Sequence, residues 1–197
     1  MNICIVRHGE TDWNSLGKWQ GREDVHLNQN GVRQAENSGL ALKKRKWGAV
    51  FTSPLSRAKK TAEIIAGINN INQIYIENDF IERDYGKVSG LTPEERSKIF
   101  PGKNFGNAGM EDWEKLRDRS YKAVLRCAEK SKKSKTGDII IVSHGGVINS
   151  LLAHLSNSDI GSGKTVLKNG GLTLLEYKNG VLRIVFYNKS ADEFDYI

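Results

Sequence analysis

Two short apolar runs in this chain end in His-Gly, so each delivers an imidazole to a chain reversal. Ile3-Cys4-Ile5-Val6 leads into Arg7-His8-Gly9, and Ile139-Ile140-Ile141-Val142 leads into Ser143-His144-Gly145-Gly146. A third run, Ala49-Val50-Phe51, is followed across Thr52-Ser53-Pro54 by Arg57. Near-continuous β-branched runs are the pattern of strands covered on both faces, and in open α/β sheets ligands collect beyond the carboxyl ends of such strands. Two histidines and two arginines aimed at one crevice point to a phosphate site.

Transfer of a phosphoryl group to a side chain needs a lone pair at neutral pH, fixed cations for the phosphate charge, and a proton for the departing alkoxide. Neutral His8 supplies the lone pair. Arg7 and Arg57 disfavour its protonation by like-charge repulsion, and their planar forks match phosphate oxygens. Arg57 falls in the first turn of a helix, where the dipole disfavours a cation unless an anion binds there. Glu82 is the candidate proton donor, since it sits in a glycine-rich polar stretch and follows two apolar residues, Phe80-Ile81. His26 and His154 lack such a setting and read as structural, the first capping a turn and the second on a helix. Trp13, Trp19, Trp47 and Trp113 do not interleave with the basic runs, which makes them core or cleft wall rather than a base-stacking platform.

The elements that must hold these groups follow from pattern and caps. Asn28 caps a helix from about Gln29 to Lys43, with Val32, Ala35 and Leu42 turned to the core. Ser53 reads as an N-cap and Pro54 as the first residue of a helix through Ile65. Ile74-Tyr75-Ile76 is a short strand, and the stretch from Phe80 to Gly90 is too polar and glycine-rich for a core element. Thr92 caps a short helix starting at Pro93, and a long helix runs from Glu111 to about Lys132. Between them, the loop from Pro101 to Gly109 reads as a mobile rim above His8. A helix from about Gly146 to Leu155 follows the second histidine. Two strand patterns, Leu172 to Tyr177 and Val181 to Phe186, flank Asn179-Gly180, a strong hairpin signal. Strands alternating with helices and then a hairpin give an α/β fold, a three-layer α/β/α sandwich with a mostly parallel sheet and an antiparallel edge hairpin.

At 197 residues without an internal linker, repeat or low-complexity tract, residues 1–197 read as a single domain. The net charge of +7 favours anionic partners. Its densest runs, Lys43-Lys44-Arg45-Lys46 and Lys130 to Lys135, fall at helix C-termini, where cations complement the dipole, so no nucleic-acid partner is expected. Cys4 and Cys127 lack metal-ligand spacing and read as buried thiols in a reducing compartment. The first strand starts at Asn2 and no apolar stretch approaches a bilayer-spanning length, so no membrane partner and a cytoplasmic location are expected. The sequence leaves the oligomeric state open.

Arg7-His8-Gly9-Glu10-Thr11 resembles the signature of the histidine phosphatase superfamily, the cofactor-dependent phosphoglycerate mutases and related phosphatases. The likeness extends through Asn14, Gln20-Gly21, Asp24 and Leu27 to Thr52-Ser53-Pro54-Leu55, Arg57-Ala58 and Thr61-Ala62. It continues through Glu82 with Gly86 and Gly90 to Ser143-His144-Gly145-Gly146. The resemblance implies that His8 is the nucleophile and forms a phosphohistidine, that Arg7, Arg57 and His144 enclose the phosphoryl group, and that Glu82 is the acid and then the base for water. It also implies phosphate contacts from Asn14 and the Gly145 amide, a substrate side lined by Gln20, Gly21 and Tyr85, and no requirement for a metal or cofactor.

A phosphohistidine discharges either to water or to a second hydroxyl. The insertion between Glu82 and His144, which the resemblance makes substrate-selecting, is shorter than the mutases carry. It lacks the arginine pair that resembles their carboxylate clamp, and the mutases' longer carboxyl-terminal tail is absent. The expectation is a phosphatase acting on a small phosphorylated substrate, with a phosphoglycerate mutase as the alternative. Gly109-Met110-Glu111 stands where many phosphatase members have Gly-Glu-Ser, so the substrate is not legible. A basic module binding phosphate or RNA is the non-enzymatic alternative, and a metallohydrolase lacks the ligand spacing it needs.

Overall fold

The computed structural model describes residues 1–194. Six strands, β1 (Asn2–Arg7), β2 (Ala49–Thr52), β3 (Ile74–Ile76), β4 (Ile139–Ser143), β5 (Leu172–Lys178) and β6 (Val181–Lys189), form one sheet in the order β3-β2-β4-β1-β5-β6. The first four are mutually parallel, while β5 runs antiparallel to β1 and β6 antiparallel to β5. The hairpin turns at Asn179 and Gly180, both with positive φ (51° and 81°), which is what a two-residue turn of the primed type demands.

Alternation along the central strands builds the three layers. Ile3, Ile5, Ile139 and Ile141 pack on α5 (Trp113–Lys133) and α6 (Gly145–Leu155). Their neighbours Cys4, Val6, Ile140 and Val142 face the opposite way, onto α2 (Gln29–Leu42) and α3 (Ser56–Ile68). A strand buried on both faces has no polar side to write into its sequence, hence the unbroken apolar runs. Two short helices, α1 (Asp12–Ser15) and α4 (Pro93–Ile99), each start in a capping box, Thr11 with Asn14 and Thr92 with Glu95. Both thiols are buried, one in each layer, and burial pushes Cys127 up to about 12 and Cys4 further. No helix among the described residues is long and apolar enough to cross a membrane.

Four local expectations need correction. Helix α3 begins at Ser56, not Pro54, and Leu55 at its N-cap makes no side-chain bond. The Ser53 hydroxyl is turned inward instead, to His144, and the orphan amide of Ser56 donates to Asp24 Oδ1 at 2.7 Å, a cap supplied from a distant loop. Second, the stretch from Phe80 to Gly90 does contribute core: Phe80 and Val88 have no exposure, each anchored at the end of a 3-10 turn (Asn78–Phe80 and Gly86–Val88). Third, His26 is exposed in an extended approach to α2 and caps no turn, because Asn28 takes the cap by accepting from the Gly31 amide. Fourth, the loop from Pro101 to Gly109 does not overhang His8. Phe105 packs on Trp19 (centroids 5.6 Å apart) and on Phe100, and the Ala108 carbonyl accepts from Lys87 N, which holds the loop against the outer side of the Trp19 wall.

Candidate active site

Strands β1 and β4 are parallel neighbours with Arg7 opposite Ser143, so the residues that follow, His8 and His144, leave the sheet side by side. Their ring centroids lie 5.1 Å apart at an interplanar angle of 57°. The His8 amide donates to the Ser143 carbonyl at 2.9 Å, and the two turns are thereby joined. Both rings are buried, His8 at 2 % and His144 at 0 % exposure.

His8 Nδ1 lies 2.7 Å from the Gly9 carbonyl, an acceptor only, so Nδ1 carries the proton and Nε2 keeps a free lone pair. Burial, then the charges of Arg57 and Arg7, hold its pKa well below the ordinary histidine value, so the ring is neutral. His144 is depressed in the same way, by burial first and then by Arg57, His8 and Arg7. Its Nε2 lies 2.7 Å from Ser53 Oγ, while its buried Nδ1 has no partner.

The cations are fixed by backbone carbonyls. Arg7 Nη1 donates to Leu167 O at 2.5 Å; Arg57 Nη1 and Nη2 donate to Glu23 O and Gly21 O at 2.6 and 2.8 Å. These acceptors, with Asp24 nearby, explain how a guanidinium tolerates the first turn of α3. Burial lowers Arg57 to about 10, which leaves it charged at neutral pH. The Nε of each arginine is buried and without a partner. A donor left unpaired in the interior costs free energy, so Arg7 Nε, Arg57 Nε and His144 Nδ1 together describe an anion site.

Glu82 reaches the N-terminus of α6, where Oε2 accepts from Gly146 N at 3.0 Å and Oε1 from Arg83 N at 2.8 Å. A Cβ at Gly146 would stand 2.5 Å from Oε1, so only glycine permits this approach. The loop carrying Glu82 is clamped from α5: Arg119 donates to the carbonyls of Asp79, Ile81 and Glu82 and forms a two-pronged ion pair with Glu111 at 2.8 Å on each arm. Burial opposes ionisation of Glu111, but the hydrogen bonds and charge of Arg119 outweigh it and hold the carboxyl below its usual range.

A cleft of about 510 Å³ opens over His8, lined by Arg7, Asn14, Gln20, Gly21, Arg57, Glu82, Tyr85 and Gly145 among others; His144 lies beneath, against the His8 ring. Asn14 Oδ1 accepts from Thr11 N and Asn169 Nδ2, which leaves its own amide donors for the cleft. Tyr85 packs at a tilt on Trp19, centroids 4.9 Å apart, and burial raises its phenol above the ordinary value, so it is a neutral donor. Gly145 lies over Arg7 Nε, 3.6 Å from where its Cβ would be.

Several cleft residues escape the sequence reading: Lys18, Arg83, Asn149 and the segment from Ser162 to Leu167, whereas Trp19 and Trp113 line the cleft, one of the two places expected for them. That segment completes the far wall, and its Leu167 carbonyl fixes Arg7. Its signal was the glycine-punctuated Gly161-Ser162-Gly163-Lys164-Thr165, which matches no regular element. The Arg119–Glu111 pair left no local mark, because its partners lie on separate elements.

Comparison with known proteins identifies the family of the chain. The family model described as "Histidine phosphatase superfamily (branch 1)" matches residues 3–190. The chain is 40% identical to the "Uncharacterized phosphatase PhoE" of Bacillus subtilis (strain 168) over 94% of this chain and 93% of that protein. It is 34% identical to the "Metal-independent phosphoserine phosphatase" of Arabidopsis thaliana, over 79% of this chain and 69% of that one. Among solved structures, phosphoserine phosphatase from Entamoeba histolytica in complex with 3-phosphoglyceric acid superposes with a TM-score of 0.77 at 26% identity, covering 96% of this chain and 97% of the other.

Proposed function

The chain belongs to the histidine phosphatase superfamily, and from that premise we propose that it hydrolyses a small phosphomonoester through a phosphohistidine on His8. The observation that carries this reading is the set of three unpartnered buried nitrogens, Arg7 Nε, Arg57 Nε and His144 Nδ1, beside a histidine whose Nε2 lone pair is free.

In the first step His8 Nε2 attacks phosphorus, the ester P–O bond breaks, and Glu82 gives its proton to the departing alkoxide. In the second, water attacks the phosphohistidine, its proton goes to the Glu82 carboxylate, and the P–N bond breaks to release phosphate. Arg7, Arg57 and the His144 Nδ1 proton hold the phosphoryl oxygens throughout, and Asn14 and the Gly145 amide extend that cradle. Gln20, Gly21 and Tyr85 line the side on which the alcohol sits. Charge on the transferring group is met by these fixed donors, so the chemistry needs no metal or cofactor. The phosphatase relatives support discharge to water rather than to a second substrate hydroxyl.

Turnover of p-nitrophenyl phosphate in excess chelator, with one acid-labile phosphate trapped per chain and none in His8→Ala, is the expected result. Label recovered mainly from His144, or activity abolished by chelation, would overturn the scheme. The same assay on phosphoglycerates with and without 2,3-bisphosphoglycerate separates hydrolysis from isomerisation: a phosphatase gives free phosphate in both.

A further inference from the structure

Behind the Trp19 wall lies a second cavity, of about 500 Å³, which the hydrolytic scheme leaves unused. Helix α4 and the turns after it supply Pro93, Arg96, Phe100, Lys103 and Phe105, and Trp19 is the one lining residue shared with the cleft over His8. The rings form a connected wall. Phe100 packs on Phe105 with centroids 5.5 Å apart, and Phe105 on Trp19 at 5.6 Å. A hollow with three aromatic rings in its walls buries a flat apolar molecule well.

Arg96 gives this cavity an oriented cation. Its guanidinium carbon stands 4.6 Å over the Trp19 ring, and Nη1 donates to the carbonyls of Leu91 and Gly17 at 2.7 and 3.0 Å. Those bonds fix the fork and leave Nε and Nη2 without a hydrogen-bond partner among the described residues. No carboxylate neutralises it. Of the acidic residues on α4, Glu94 pairs with Lys98 at 2.9 Å and Glu95 accepts from the Thr92 amide at 2.7 Å. Burial lowers the Arg96 pKa, and no acidic neighbour among the described residues offsets it. Lys103, which is exposed, lines the same cavity and adds a second positive charge, whereas no acidic residue lines it. An apolar hollow with two cations and no carboxylate is complementary to an amphipathic anion.

We propose that the cavity behind Trp19 is a second binding site, for a flat aromatic molecule carrying one anionic group. The ligand's rings lie against Trp19, Phe100 and Phe105, while Arg96 Nε and Nη2 and the Lys103 ammonium hold the anion. The site is separate from the cleft, so its ligand is not the ester being hydrolysed. The inference therefore stands independently of the phosphatase reading.

The test is fluorescence titration of the folded protein with 8-anilinonaphthalene-1-sulfonate and with N-phenyl-1-naphthylamine, the same ring system without the sulfonate. One sulfonate probe per chain is expected, bound at least about tenfold tighter than the neutral amine, the worth of one charge-assisted bond. Arg96→Gln should remove most of that preference by weakening the sulfonate alone. Phe105→Ala should weaken both probes, by about tenfold. Saturating sulfonate probe should leave a finite rate on p-nitrophenyl phosphate, because the two molecules occupy different cavities. Absence of binding, equal affinity for the two probes, an unchanged preference in Arg96→Gln, or purely competitive inhibition overturns the proposal. Because the wild-type preference is itself decisive, a variant that fails to fold does not shelter it. A protein inactive on p-nitrophenyl phosphate would sink the phosphatase reading, and the titrations would still decide this one.

Discussion

Ser53 Oγ lies 2.7 Å from His144 Nε2 and also accepts from the Leu55 amide at 3.3 Å. With one lone pair so engaged the hydroxyl keeps its proton for Nε2, and a proton donated there leaves the His144 proton on Nδ1, the nitrogen without a partner. A residue expected to start a helix instead sets a tautomer. Ser53→Ala should reduce kcat about tenfold, the worth of one oriented hydrogen bond, while KM changes little. Ser53→Thr, which keeps the hydroxyl, should recover most of the loss; a threonine variant as slow as the alanine one would mean that packing, not the proton, is what matters.

The approach of Glu82 to Gly146 makes a second test. Glu82→Gln replaces an acceptor facing two backbone amides with a group that must turn its own N–H towards one of them. Gly146→Ala leaves the carboxylate intact but puts a methyl 2.5 Å from it. Both should slow substrates with alkoxide leaving groups by about 10² to 10⁴, the usual worth of a general acid, and p-nitrophenyl phosphate far less. If both substrate types fell in parallel, Glu82 would be a positioning group and not the proton donor.

Much of the fold and of the site is legible in the sequence, and the departures have physical causes. The strands, the histidines and the arginines announce themselves because burial on both faces and strand-end chemistry are local properties of sequence. Asp24 capping α3 and Arg119 clamping Asp79 to Glu82 are not local: each joins elements whose adjacency exists only after folding. The glycines of the loop from Pro101 to Gly109 suggest freedom in the sequence, whereas the ring contact of Phe105 with Trp19 decides its direction.

Arg119→Met should destabilise the fold by about 3 kcal/mol, because it leaves the buried Glu111 carboxylate only its longer contacts with Arg22 and the Asp84 amide. Adding Glu111→Gln should return part of that loss. Chemical denaturation of the two single variants and the double variant gives the coupling; strict additivity would show that the pair contributes nothing jointly.

The two depressed histidines make stability fall on mild acidification. Below about pH 6.5 the unfolded chain takes up protons at both imidazoles while the folded chain does not, so acid favours unfolding. Above that pH the histidine contribution is fully present and flat; below it, each ring removes up to about 1.4 kcal/mol per pH unit until its folded pKa is reached. Urea midpoints between pH 7 and 5, above the range where Glu111 protonates, should show the slope, and His8→Gln should roughly halve it. A flat wild-type profile would mean that the rings take up protons within the fold.

The in-register pairing of β1 with β4 ties the two histidines to the centre of the sheet and not to its margin. Neither ring can be displaced by fraying of a terminus, because the strands that end at them are the most shielded in the molecule. Catalysis and folding are therefore one cooperative event: activity should vanish at the same denaturant concentration as the far-ultraviolet signal, with no half-active species between.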